Sequence, residues 1–550
     1  MMAGMNPSEL RRPIAALAVA LLAASALPVH AASPVPLPTA DAFYAYTGAT
    51  PLAQIAPGTV LKTRSISMHI AGTSLPVPGD QLLYRTAGEV GQPTVTVTTV
   101  LKPPTGSVLG KVVSYQSFYD ALGAQCDPSY WLSGGDPGAA NAQNTYAEQA
   151  LISQFIAAGY YVNVSDFEGE ELHWSAGHES GYGTLDSIRA AEADLKLPAT
   201  APVALYGYSG GSIASEWASE LAPAYAPELN IVGVAEGGIP VDYAHNLTYI
   251  SGSASWSGVM PGILLSLTRA YGIDITQYLS PYGIKLVDQA RGKCINSLLG
   301  KYPGLTVKQL LKPENPDPLK IPDFVRVINA LTMGTAPGHP AGPLLMAVGN
   351  ADGTGDGVMV AADVQALAHE YCAEGVHVQL TVEQGLAHTQ AAIPWAAAAL
   401  PFLEDRLNGL PSVDGCASIP AGNSLALLPV PKPLRKAAGT ILTLRITNSL
   451  GGHHGVIEVG PSGRVDVRVQ LRLAKGAHST AKLVGRRVTV GKLTLVTGKG
   501  GIATGQLKIE PSRLVSIRAG FAGNAVLAKS ASQRLEVSAQ CPGTSRGCVT

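Results

Sequence analysis

The run Val203-Ala204-Leu205-Tyr206-Gly207-Tyr208-Ser209-Gly210-Gly211 restricts the folds open to this chain more than any other stretch. It starts as a continuous apolar strand, passes through Gly-x-Ser-x-Gly and runs into Ser212–Leu221, which has the composition of a helix. A serine on so sharp a turn needs glycine on either side, because side chains there would collide with strand and helix. The turn exposes the serine oxygen and sets the first amides of the helix beside it, where they can face an anion. With 61 glycines in the chain a chance match to the motif is easy, so the flanking strand and helix carry the weight.

The surrounding pattern agrees with a parallel sheet. Leu151–Ala158 precedes the strand-like Tyr160–Val164, and Leu185–Leu195 precedes Pro202–Tyr206. Helical and strand-like stretches in alternation predict a mostly parallel sheet with helices on both faces. Between Pro240 and Met333 this alternation breaks. Val259–Leu267 and Phe324–Leu331 read as helical pieces with large apolar faces, an insertion over about 241–333.

The chain of 550 residues is longer than one core usually spans, and its charge divides it. From Ala421 to Thr550 there are 19 Lys and Arg against 4 Asp and Glu, an excess of 15 positive charges. The remainder holds 19 basic and 35 acidic residues. Pro411, Pro420, Pro429, Pro431 and Pro433 punctuate the same region and predict a linker over 416–435. Beyond it come short alternating runs such as Ile441–Ile446 and Val465–Leu471, the pattern of an all-β, immunoglobulin-like sandwich over 436–550. Arg464, Arg468 and Arg472 are separated by even numbers and are expected on one solvent face.

Arg11 and Arg12, the apolar run Ile14–Leu27 and Val29-His30-Ala31 make residues 1–31 read as a secretory signal. No later stretch reaches 18 uninterrupted apolar residues, so no transmembrane segment is expected in the mature chain. Cys126, Cys294, Cys372, Cys416, Cys541 and Cys548 remain, an even count that suggests disulfides in an exported protein. They show no C-x-x-C spacing, and no metal site is expected.

A nucleophilic serine needs a base and a group that orients it. Pro343–Val348 ends in Gly349-Asn350-Ala351-Asp352, and Val376–Val382 ends in Glu383-Gln384-Gly385-Leu386-Ala387-His388. Both termini lie where open α/β sheets build their sites, and the order Ser209, acid, His388 is the one this fold requires. His369 and His377 fall within a helix and a strand. His453, His454 and His478 belong to the basic region, and His173, His178, His245 and His339 lack the strand-end context. For the acid, Asp352 is preferred as the shorter path from the strand end, with Asp356 as the alternative in the run Asp352-Gly353-Thr354-Gly355-Asp356.

Several blocks in order resemble the secretory lipase family of α/β-hydrolases, lipase-A-like proteins. They are Ser114–Ala121, Cys126–Tyr130, Asp166–Gly169, Leu185–Ala191, Gly207–Gly211, Gly233–Pro240 and the His388 loop, spread over about residues 40 to 410. The resemblance implies an α/β-hydrolase over 32–415 that acts on acylglycerols and other carboxylic esters without a cofactor. It also implies that the insertion is a helical cap, and that the Asp120 and Gly210 amides form the oxyanion hole. Asp120 lies just past the strand-like Lys111–Tyr115, which suits that role. The pairing Cys126–Cys294 would tie this loop to the insertion, and the family suggests it too. Cys372–Cys416 and, from proximity alone, Cys541–Cys548 complete the set. The acid loop, which carries four extra residues, and the basic β region depart from the family pattern.

The leading expectation is a secreted lipase acting through Ser209, Asp352 and His388. An esterase or acyltransferase on soluble esters would use the same groups. A different class is an envelope-binding protein that displays its basic domain on the hydrolase fold. The expected partners are an acyl ester or lipid and, through the basic region, an anionic cell-envelope surface, with no nucleic acid.

Overall fold

A computed structural model of the chain describes residues 35–104, 110–431, 439–453, 456–475, 482–510, 514–524 and 527–540. The expected signal over 1–31 and the pair Cys541 and Cys548 lie outside the described residues.

Nine strands form one sheet: β1 (Val60–Ile70), β2 (Thr73–Ala87), β3 (Pro93–Leu101), β4 (Val112–Gln116), β5 (Tyr161–Ser165), β6 (Pro202–Tyr208), β7 (Asn230–Gly237), β8 (Leu344–Asn350) and β9 (Val378–Gln384). Their order is β1-β2-β3-β5-β4-β6-β7-β8-β9. The pairs up to β3–β5 are antiparallel, and every pair from β5 to β9 is parallel. Alternate residues of β6 feed two cores. Val203 and Leu205 pack with Ile188, Trp217 and Leu367 of the helices Gly177–Leu195, Gly210–Tyr225 and Ala361–Ala373. Ala204, Tyr206 and Tyr208 pack with Phe155 and Trp395 of the helices Ala142–Ala157 and His388–Leu407. Because both faces are covered, β6 is buried from Val203 to Tyr208 and reads as an unbroken apolar run rather than an alternating one.

The expected insertion lies between β7 and β8. It holds the helices Tyr243–Ile250, Met260–Ala270, Pro281–Ala290 and Pro322–Leu331. The disulfide Cys126–Cys294 joins it to the loop after β4, with Cα atoms 5.9 Å apart. Three backbone contacts reinforce that join: the bridge Ala121–Cys294, Leu122 N–H to Lys293 O at 2.9 Å and Ile295 N–H to Asp120 O at 3.0 Å. The disulfide Cys372–Cys416, with Cα atoms 5.6 Å apart, fastens the chain after the helix His388–Leu407 to the helix before β9.

The proline-punctuated segment runs along the surface of the first region instead of spanning open solvent. Ile419 and Leu425 are buried in its core. Asn423 donates to the Asp363 carboxylate at 2.7 Å, and Asn329 exchanges two hydrogen bonds with Leu428. Proline removed only the donors this segment had no sheet neighbour to receive, so a break in composition did not become a free linker.

The C-terminal region is rich in β-structure, as expected. Its strands are β10 (Thr440–Ile446), β11 (Gly451–His453), β12 (Val456–Val459), β13 (Arg464–Leu473), β14 (Arg487–Val490), β15 (Leu493–Val496), β16 (Ile502–Lys508), β17 (Val515–Ile517), β18 (Ala519–Phe521), β19 (Ser530–Ala531) and β20 (Leu535–Ala539). They form three sheets: β10-β13-β16, β11-β12-β20-β17 and β15-β14-β18-β19. In β13 the alternation is complete. Val465, Val467, Val469 and Leu471 enter a shared apolar core, while Arg464, Arg468 and Arg472 lie exposed on the other face. Register sets Arg445 opposite Arg468 and Lys508 opposite Arg464, so like charges face each other across the sheet.

Reduction of the two disulfides is expected to cost roughly 2–4 kcal/mol each, since each constrains a long loop in the unfolded chain. Thermal unfolding with and without reductant, and of the Cys372→Ser/Cys416→Ser variant, measures this. An unchanged Tm would show that the bonds carry no stability.

Candidate active site

The strand β6 ends where the backbone must reverse sharply into the helix Gly210–Tyr225. Ser209 takes φ 55° and ψ −120°, a left-handed conformation that costs a non-glycine residue of order 1–3 kcal/mol. Its neighbours permit the turn. A Cβ on Gly207 would stand 2.2 Å from Gly211 O, and one on Gly211 would stand 2.1 Å from Gln116 O. The Ser209 amide donates to Gly237 O at 2.8 Å, locking the turn to the end of β7.

His388 opens the helix His388–Leu407 and is buried. Its Nε2 stands 2.7 Å from Ser209 Oγ, and its Nδ1 stands 2.7 Å from Asp356 Oδ2. With the hydrogen on Nδ1 directed at the carboxylate, Nε2 is free to accept the Ser209 proton. The His388 amide also donates to Asp356 O at 2.9 Å, and Tyr208 Oη donates to His388 O at 2.5 Å. Rings pack on the imidazole from two sides: Tyr208 and Trp256, each 5.2 Å away between centroids.

The acid is the point at which the structure departs from the expectation. Asp356, and not Asp352, holds His388. After β8 the chain loops outward and returns. Ala351 N–H donates to Gly355 O at 2.7 Å, and a bridge pairs Gly355 with Val360. The return carries Asp356 back over the strand end, where it can lie only because Gly349 has no side chain; a Cβ there would be 2.8 Å from Asp356 Cβ. The second carboxylate oxygen of Asp356 accepts the amides of Val358 and Met359 at 3.0 and 2.7 Å. Asp352 stays exposed and closes the outward turn, accepting from Thr354 and Gly355 amides and from Tyr249 Oη at 2.9 Å. Those backbone bonds hold its carboxyl below the usual range.

Asp120 lies beside Gly210, and a Cβ on Gly210 would touch its carboxyl at 2.0 Å. Asp120 also takes a positive φ of 36°. The amides of Asp120 and Gly210 have no intramolecular acceptor among the described residues. Two buried glutamates fix the loop around Asp120. Glu148 accepts from Ser117 Oγ at 2.8 Å and the Phe118 amide at 3.1 Å, and Glu168 accepts from the Ala121 amide at 2.9 Å. Sequence gives no sign of Glu148 or Trp256, and Glu168, Tyr208 and Gly238 stand in motif blocks that reveal no role for them; the missing Cβ of Gly238 leaves room for His388. The Gly237-Gly238 pair at the end of a strand was the one signal available.

Burial pushes the Asp120 carboxyl up to about 7, against the pull of His388, and pushes Glu148 up to about 8. Asp166 is likewise raised to about 7, and Glu220 and Glu236 to about 8, burial being the first cause in each.

Two apolar cavities reach Ser209. One runs under the insertion and is lined by Trp174, Tyr243, Met260, Leu264 and Phe324, with Gly210 at its inner end. The other lies between the helices Ala142–Ala157 and His388–Leu407 and is bordered by His388. Asp120, Ser209, Trp256 and Ile295 border both. Among the described residues no cluster of three or more acidic, His or Cys side chains is arranged for a metal, and no helix is long and apolar enough to cross a membrane.

A family model described as secretory lipase matches residues 137–415. The chain is 32% identical to a lipase A of Arthroderma benhamiae, over 71% of this chain and 84% of that protein. It is also 32% identical to a probable inactive lipase of Mycobacterium tuberculosis, over 65% and 80%. The X-ray structure of Candida antarctica lipase A superposes with a TM-score of 0.65 at 28% identity, covering 71% of this chain and 91% of that one.

The raised carboxyls set the sign of the pH dependence. Each binds its proton more tightly when folded than in the unfolded chain, where the value is near 4, so the folded form holds more protons between about pH 4 and 8. Stability should fall as pH rises through that window. Tm measured at intervals from pH 5 to 9 checks this, and a rising Tm would contradict it.

Proposed function

The chain belongs to the secretory lipase family, and from that premise we propose that it hydrolyses carboxylic esters of long acyl chains through Ser209, His388 and Asp356. The observation that carries the reading is the unbroken relay of hydrogen bonds from Ser209 Oγ through the imidazole to the Asp356 carboxylate. In the first half-reaction Ser209 Oγ attacks the ester carbonyl carbon while Nε2 takes its proton. The amides of Asp120 and Gly210 receive the developing oxyanion, aided by the helix N-terminus at Gly210. As the alkoxy bond breaks, Nε2 returns the proton to the leaving oxygen, and the acyl group remains on Ser209. Water then attacks the acyl-enzyme, giving its proton to Nε2, and the acid leaves as Ser209 recovers its hydrogen.

The acyl chain is assigned to the apolar cavity under the insertion, whose helices act as a cap over it. That cavity supports a lipase over an esterase or acyltransferase confined to soluble esters. The intact relay supports an enzyme over a display scaffold. The family and its relatives support export, with residues 1–31 as the signal.

Residues 436–550 are proposed as an immunoglobulin-like sandwich, supported by three sheets that share one apolar core. The basic face of β10, β13 and β16 supports attraction to an anionic envelope surface. A contact also joins this region to the insertion: Arg486 Nη1 lies 3.0 Å from Asp274 Oδ2.

Ser209→Ala and His388→Ala are expected to lower kcat on p-nitrophenyl esters by about 10⁴-fold or more, with unfolding curves retained. Asp356→Asn should be far more damaging than Asp352→Asn. If the two are reversed, or if Ser209→Ala keeps a tenth of the activity, the assignment fails.

A further inference from the structure

The second cavity has a chemistry of its own. It is a furrow between the helices Ala142–Ala157 and His388–Leu407, and it is walled by small and apolar side chains, among them Ala150, Leu151, Ala392, Ala396 and Leu400. Apart from Asp120 and His388, no acidic or basic side chain lines it. Asn144 donates to the Asn296 side-chain oxygen at 3.1 Å, so these two wall amides are tied to each other. Ile393, on the same helix, is 74% exposed at the furrow, a position water would ordinarily disfavour for so large an apolar side chain.

Placement decides which part of an ester lies here. Collapse of the tetrahedral intermediate requires Nε2 of His388 to hand its proton to the leaving oxygen, so the alcohol portion must stand on the histidine side of Ser209. The furrow borders His388, whereas the cavity under the insertion borders Gly210 and does not include His388. From His388 to Leu400 the helix advances about 18 Å at 1.5 Å per residue, long enough for an extended alkyl chain. A single furrow between two helices suits one chain, and its wall along the helix His388–Leu407 is mostly small and apolar.

We infer that this furrow binds the alkyl chain of the alcohol, making the protein selective for esters that join a long acyl chain to a long-chain aliphatic alcohol. The inference rests on the catalytic reading above. In it the scissile C–O bond lies over Ser209 at the junction of the two cavities, with one hydrocarbon chain in each. The C–O bond breaks, the acyl carbon is held by Ser209 Oγ, and the long-chain alcohol departs along the furrow carrying the proton from His388.

The test compares two esters of one fatty acid, its ethyl and its hexadecyl ester, presented at equal mole fraction in neutral detergent micelles. Wild type should favour the hexadecyl ester in kcat/KM. Ala150→Trp and Ala396→Trp, which fill the furrow, should lower the hexadecyl-to-ethyl ratio by about tenfold or more. Ala398→Trp, on the same helix but outside the furrow, should leave that ratio unchanged. A general loss of folding would lower both rates together and leave the ratio where it was. An unchanged ratio in furrow variants that keep the wild-type unfolding curve and ethyl-ester rate, or a wild-type preference for the ethyl ester, overturns the inference while Ser209-dependent cleavage leaves the catalytic reading standing. Failure of wild type to cleave either ester, or cleavage that survives Ser209→Ala, removes the catalytic reading and this one with it.

Discussion

The approach of the Ser209 turn to the ends of β4 and β7 is the constraint on which the rest of the site hangs. The first turn of the helix Gly210–Tyr225 lies so near the carbonyl of Gln116 that no side chain fits at Gly211, and the turn itself forces Ser209 into a left-handed conformation. That strain persists because the sheet over-determines it. The Ser209 amide is bound to Gly237 O, and β6 is fixed on both sides by parallel neighbours. Once the serine is so placed, the histidine has one location within reach of its oxygen, at the head of the helix after β9. The acid must then be brought to the histidine, and Gly349 is the opening through which the loop returns.

Around this turn the protein buries carboxyl groups to an unusual extent. Asp120, Glu148, Glu168 and Asp166 surround the loop after β4; Glu148 and Asp166 accept from amides and hydroxyls, Glu168 accepts from one amide, and none is paired with a lysine or arginine among the described residues. Burial raises all of them, so each keeps its proton to a higher pH than an exposed carboxyl would. An ion pair in their place would have set a strong field beside Ser209. These carboxyls brace the loop without one.

Much of this was legible in the sequence because it depends on local chemistry. Glycines flanking a serine between strand and helix announce the turn, and period-2 alternation in β13 announces which arginines face solvent. The same pattern logic located the insertion between β7 and β8. It failed at the acid. A path-length argument favours Asp352, yet what selects Asp356 is a hairpin-like return and a missing Cβ on Gly349, both tertiary facts. Proline spacing marked the region after residue 411 as a connector. Nothing in composition reveals that Asn423 and Leu428 would find partners on the hydrolase surface. Glu148 and Glu168 were invisible for a related reason: a glutamate on a helix or loop looks solvated until the element that buries it is placed.

The register of the C-terminal sheet has an effect of its own on where this region is comfortable. Arg445 faces Arg468, and Arg464 faces Lys508, across strands held a fixed distance apart by their ladders. Such pairs repel, although Asp466, 2.9 Å from Arg464 Nε, offsets part of the charge at that position. Their repulsion fades as dissolved ions shorten its range to about 8 Å at physiological strength and about 3 Å in molar salt. Brine therefore relieves this part of the molecule, in contrast to the surface ion pairs that it weakens.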